Sequence, residues 1–136
     1  MLIYIAGKLC SEEEREEVEK LAQFCESLGF KTFLPHRDGG LCKSIKDVPR
    51  IFKADITDSL AKADLVITNL NGLHIGAGTA WELGYAFANN IPAIGIKTDE
   101  SVEDSLDNLS AILIGSMKIV SSFDELKNEI EKFKNV

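Results

Sequence analysis

Residues 64–96 read DLVITNLNGLHIGAGTAWELGYAFANNIPAIGI. Leu65, Val66 and Ile67 sit in an apolar, β-branched run that predicts a strand over 64–70, buried on both faces. The glycine-rich turn Asn71–Gly78 follows, then a predicted helix over 79–89 and a second apolar run over 91–96. Strand, helix and strand in that order make a right-handed crossover between parallel strands.

The same alternation extends in both directions. Leu2–Ala6 is an apolar run closed by Gly7 and predicts a first strand. Ser11 with Glu14 three residues on is a capping-box pattern, opening a helix whose Val18, Leu21, Ala22, Cys25 and Leu28 share one face. Gly29 stops it, and Lys31–Pro35 predicts a second strand. His36 to Gly40 is expected to be a loop. A helix is expected over 48–63, with Ile51, Phe52, Ile56 and Leu60 inward. Met117–Val120 predicts a fifth strand and Phe123–Phe133 a last helix with Phe123, Leu126, Ile130 and Phe133 on one face. Residues 98–115 are expected to hold a polar connection with one short helix or turn. The chain is thus an α/β protein with a mostly parallel five-stranded sheet, and residues 1–136 form a single domain. Such sheets bind ligands at the carboxyl ends of their strands. That rule gathers the turn after Ala6, the loop 36–40, the turn 70–78 and the loop after Ile96.

Composition narrows the partners. With 45% hydrophobic and 27% charged residues among 136, the chain suits a folded domain that needs neither disulfide nor metal. Its 15 Lys and Arg against 22 Asp and Glu give a net charge of −7, which disfavours nucleic-acid polymers and anionic membranes. Three cysteines without a C-x-x-C spacing match neither a disulfide framework nor a zinc site. His36 and His74 form no ligand array, so no metal is expected. The amino-terminal segment lacks a signal-peptide pattern and no stretch has membrane-spanning length, so a reduced cytoplasmic setting is expected.

Glu82 is the leading chemical candidate, placed in the first turn of the helix after the central strand. There the helix dipole keeps a carboxylate ionised, suited to attack at an anomeric carbon. Complementing the dipole alone is the other role open to it. Asp55, Asp58 and Asp64 offer a second proton-handling group, or a solvated face. Gly76-Ala77-Gly78 suits a tight turn better than a phosphate cradle, because neither a G-x-G-x-x-G fingerprint nor a Walker lysine is present. Cys10 reads as a buried small hydrophobe or a reactive thiol. Trp81 and Tyr85 either shape a pocket for a flat base or pack the helix on the sheet.

These stretches together resemble the nucleoside 2-deoxyribosyltransferase family along nearly the whole chain. The likeness lies in Ile3-Tyr4-Ile5-Ala6-Gly7 with Ser11-Glu12-Glu13-Glu14-Arg15, in Phe33-Leu34-Pro35-His36-Arg37-Asp38-Gly39, and in Asp107-Asn108-Leu109. Its most specific piece is Gly78-Thr79-Ala80-Trp81-Glu82-Leu83-Gly84-Tyr85-Ala86. The resemblance implies a flavodoxin-like three-layer fold. It also implies cleavage of the N-glycosidic bond of 2′-deoxynucleosides, with the deoxyribosyl group passing to another free nucleobase through a glutamyl ester. Glu82 is then the nucleophile, Tyr4 orients it, and Asp55 contacts the base and assists protonation. Gly7, Arg37, Asp38, Asn71, Gly76 and Gly78 complete the substrate-binding set. Asn108 reaches the sugar of a neighbouring subunit in a homodimer or higher homo-oligomer. No cofactor is implied.

The chain departs from that pattern at Gly76, where the family commonly carries an aspartate, and in the spacing that leaves Asp58 as an alternative to Asp55. A related branch hydrolyses 2′-deoxynucleoside 5′-monophosphates, but its phosphate-holding arginine and serine have Lys8 and Gly76 in their places. That favours nucleoside over nucleotide. A nucleoside- or nucleotide-binding module with little catalysis is the reading from a different class.

Overall fold

A computed structural model describes residues 1–135. Its five strands are β1 (Leu2–Ala6), β2 (Lys31–Phe33), β3 (Leu65–Asn69), β4 (Ala93–Ile96) and β5 (Lys118–Val120). They pair in the order β2-β1-β3-β4-β5, and every pairing is parallel. The order reverses direction at β1 and β3, the switch point of a flavodoxin-like sheet, so the crevice for a ligand opens beyond their carboxyl ends.

Two cores flank the sheet. On one face, Ile3, Ile5, Leu65 and Ile67 pack against Val18, Leu21, Ala22 and Cys25 of α1 (Glu12–Ser27) and against Leu126 and Ile130 of α6 (Phe123–Glu131). On the other, Tyr4, Ala6, Val66 and Leu70 pack against Ile56 and Leu60, and against Leu83 and Ala86 of α3 (Ala77–Ala88). Alternate residues of β1 and β3 therefore serve opposite cores, as the two-residue period of a strand requires. The α1 capping box forms as its sequence predicts: Ser11 accepts from the Glu14 amide while the Glu14 side chain accepts from the Ser11 amide.

Several boundaries differ from expectation. The segment 36–40 is not an open loop, because Pro35–Gly39 closes a π-helical turn in which the Asp38 carboxylate accepts from the Leu34 amide. The single helix expected over 48–63 is three pieces: α2 (Val48–Phe52), a π-helical turn Lys53–Thr57, and a 3-10 turn Leu60–Lys62. The backbone leaves the helical region at Ser59, whose buried hydroxyl donates to the Ala54 carbonyl. The break lets Ile56 and Leu60 face the core while Phe52 turns outward, 50% exposed, rather than inward. Residues 98–115 carry more helix than expected, with α4 (Leu106–Leu109) and α5 (Ala111–Ser116) meeting at Ser110. α3 begins at Ala77, ahead of the predicted Thr79.

Candidate active site

A cavity of about 680 Å³ opens at the carboxyl ends of β1 and β3. The turn after β1 supplies Gly7, Lys8, Leu9 and Cys10; the segment 48–56 supplies Val48, Ile51, Phe52, Asp55 and Ile56; the turn into α3 and its first residues supply Ile75 to Thr79, Trp81 and Glu82. The walls are chiefly apolar, with two carboxyls set into them. This composition suits a flat, weakly polar ligand with a few fixed polar contacts.

Tyr4 is fully buried in β1, and its hydroxyl donates a hydrogen bond to Glu82 Oε2. Because α3 starts at Ala77, Glu82 lies beyond the first helical turn, where the dipole contributes little. Its ionisation is therefore set by burial, which pushes its pKa from 4.5 up to about 7. The Tyr4 hydrogen bond opposes that rise, and the charge of Asp55 adds to it. The expectation of a permanently ionised Glu82 is corrected accordingly: burial outweighs the dipole. The Tyr4 hydroxyl itself is driven far above its ordinary range, first by burial and then by Glu82, and stays a donor.

Asp55 faces the same cavity. Burial raises its pKa from 3.8 to about 6, with Arg50 acting in the opposite direction. Its Oδ1 is buried without a hydrogen-bond partner, pressed so close to Gly39 that a Cβ at that position would collide with it. Asp58, the alternative acid, is solvent-exposed and bonded to Lys53 at 2.8 Å, which holds its carboxyl below the usual range. Of the two, Asp55 is the one in the cavity.

Gly7, Gly76 and Gly78 also line the cavity. At Gly7 a side chain would strike Val18 Cγ1, 2.7 Å from the Cβ position, so glycine is what lets the turn pass under α1. Gly76 has φ +88° and ψ 154°, a backbone region essentially reserved for glycine.

The other proposed contacts stand elsewhere. Arg37 is held by Glu26, Thr32 and Asp38 at the edge of β2, away from the cavity. Asp38 spends its oxygens on Arg37 and the Leu34 amide. Asn71 ties the turn after β3 to the loop after β4, through Thr98 and the Asp99 amide. Asn108 is exposed on α4. Cys10 is exposed on the cavity rim rather than buried, because it sits ahead of the capped start of α1 where no core packs; Cys42 shares that exposed position on the rim.

Three contributors escaped sequence reasoning. Phe52 joins the cavity wall and meets Trp81 edge-on at 5.8 Å, while Trp81 stacks on Tyr85 at 5.6 Å. Cys42 carried no signal at all. Buried Lys97 donates to the Leu70 carbonyl at 3.0 Å and pairs with Asp99 at 2.9 Å, anchoring the root of the glycine-rich turn; its place just after an apolar strand was the available hint.

The chain belongs to the nucleoside 2-deoxyribosyltransferase family, whose model matches residues 3–133. It is thereby an enzyme of the nucleoside deoxyribosyltransferase kind. Among solved structures it is similar to a 2-deoxyribosyltransferase from Bacillus psychrosaccharolyticus, with TM-score 0.78 and 22% identity over 94% of this chain and 91% of that one. A conserved protein from Enterococcus faecalis V583 matches with TM-score 0.69 and 23% identity over 97% and 98% of the two chains. A CMP N-glycosidase from Clostridium botulinum matches with TM-score 0.57 and 17% identity over 96% and 98%. At these identities the likeness is one of fold. No curated protein matches the sequence. Among the described residues, no group of His, Cys, Asp and Glu is arranged to hold a metal, and no helix is long and apolar enough to cross a membrane.

Proposed function

We propose that the protein transfers the 2-deoxyribosyl group of a 2′-deoxynucleoside to another nucleobase through a covalent ester on Glu82. The observation that carries this reading is the pair of carboxyls in one apolar cavity, one of them fixed by the Tyr4 hydroxyl. Tyr4 occupies Oε2 and leaves Oε1 to attack C1′. As the C1′–N bond breaks, its electron pair passes to the base, which takes a proton from Asp55; the C1′–O bond to Glu82 forms. In the second half an incoming base attacks C1′, the ester bond breaks and Glu82 recovers its carboxylate. The proton lost by that base returns to Asp55. Two inversions give net retention.

The raised pKa of Asp55 suits a group that gives and takes a proton near neutrality, whereas that of Glu82 leaves the retained proton on Glu82 in the free protein. Positive charge developing at C1′ favours the ionised form of Glu82, so the proton the pair retains near neutral pH is directed to Asp55 and the leaving base. Phe52 and Trp81 offer aromatic surface to a base. Among the described residues Lys8 is the sole cation in the cavity wall and is paired with Glu14 at 3.4 Å, against two wall carboxyls, which favours a neutral nucleoside over a 5′-monophosphate. Asn108 is exposed beside the outward Leu106 and Ile112, consistent with a homo-oligomer in which it serves a neighbouring copy.

Hydrolysis of a 5′-monophosphate is the second reading, favoured by the Clostridium botulinum N-glycosidase of like fold. Chromatography of the protein with deoxynucleosides and their 5′-monophosphates, with and without a second base, separates the two. A new deoxynucleoside formed only with the second base is the expected result. Free base released only from monophosphates would overturn the transferase in favour of the hydrolase.

A further inference from the structure

Arg50 stands outside the cavity lining, yet it is bound to the wall behind Asp55. Its Nη1 donates to the Gly39 carbonyl at 2.9 Å, and its guanidinium lies 3.3 Å from where a Gly40 side chain would begin. Gly39 is the residue against which Asp55 Oδ1 is pressed. The Arg50 clamp therefore fixes the backbone that blocks one oxygen of Asp55 and leaves Oδ2 to the cavity. Asp47, 3.6 Å from Arg50 Nη2, steadies the guanidinium from the preceding turn.

From this geometry we infer that Arg50 is a positioning residue for Asp55, holding Gly39 so that the carboxyl presents a single oxygen to the leaving base. The inference rests on Asp55 being the proton donor of the proposed reaction. The charged and titratable groups around Asp55 come from four elements: Tyr4 of β1, Glu82 of α3, Arg50 of α2, and Lys8 of the turn after β1. Lys8 is engaged by Glu14. Arg50 is the group that pulls Asp55 toward its charged form.

Three variants divide the two parts of the role. Arg50→Gln keeps a donor for Gly39 and removes the charge; Arg50→Ala removes both; Arg50→Lys keeps the charge. The readouts are the pH profile of kcat/KM for deoxyribosyl transfer and the carbon-13 carboxyl titration of Asp55, assigned with Asp55→Asn. Arg50→Ala and Arg50→Gln are expected to move the Asp55 titration upward by about 0.5–1 pH unit, less than a close, buried opposite charge gives because Arg50 is half exposed. Arg50→Lys is expected to restore it, and Arg50→Ala alone is expected to lower kcat beyond the pH effect. An Asp55 titration unchanged in all three variants, with activity lost only in step with stability, would overturn the inference. The carboxyl titration reads Asp55 without turnover, so a protein that transfers nothing would sink the proposed reaction while the Arg50–Asp55 coupling is still measured.

Discussion

The Tyr4 hydroxyl donates to Glu82 Oε2 and joins the inner strand β1 to helix α3 beneath the cavity. Because Tyr4 is fully buried and packed on Phe33 at 5.7 Å, its hydroxyl has one fixed place, and Glu82 is oriented by it. A hydrogen bond to a charged group contributes about 1.5–3 kcal/mol, so Tyr4→Phe should lower kcat/KM by about 10- to 100-fold. The same hydrogen bond lowers the Glu82 pKa, so its loss should also shift the acid limb of the pH profile upward. A uniform loss of rate with an unmoved limb would contradict this role.

The wild-type profile of kcat/KM should be bell-shaped, with its maximum between about 6 and about 7. At lower pH both carboxyls are protonated and no nucleophile is present. At higher pH both are ionised and no acid remains. The two limbs belong to the pair rather than to either residue alone, and a rate that climbs steadily to alkaline pH would remove Asp55 from its role.

Stability should follow the opposite logic from catalysis. The Glu82 pKa is higher in the folded chain than its ordinary 4.5, so folding favours the protonated form, and the benefit is lost as pH rises toward and through about 7. Glu82→Gln carries no such charge. In urea unfolding it should match the wild type near pH 5 and exceed it at pH 8 by up to about 3 kcal/mol. Equal stability at both pH values would mean that the folded environment does not disfavour the charge.

Gly76 does not invite replacement by the acid common in the family. Its positive φ and the approach of a Cβ to within 3.0 Å of Lys8 Cγ oppose any side chain. Gly76→Asp should therefore lower the urea midpoint, by an amount equivalent to about 1–3 kcal/mol. A stable variant with higher transfer activity would show that the turn adapts readily.

The inner strands β1, β3 and β4 were legible because each is a mostly apolar run with glycine or proline close by, and α1 because Ser11 and Glu14 mark its start. The segment 48–63 was not, since its apolar positions fit one helix while the break depends on the Ser59 hydroxyl reaching Ala54. Glu82 and Asp55 stand out as carboxylates by their place in the sequence, and the family likeness adds Tyr4 and the separate roles; their juxtaposition needs the tertiary fold. Arg37 and Asp38 belong to the same recognisable stretch, yet Glu26 and Thr32 hold Arg37 at the sheet edge. Arg50 had no signal, because its partner is a backbone carbonyl eleven residues away.

The central claim is a covalent deoxyribosyl ester on Glu82. Its most direct test is intact-protein mass measurement after acid quench of the enzyme with a deoxynucleoside and no acceptor base, followed by peptide mapping. A deoxyribosyl adduct on the peptide containing Glu82, absent from Glu82→Ala and cleared by added base, is the predicted result. Turnover without an adduct, an adduct on another residue, or undiminished turnover by Glu82→Ala would contradict it.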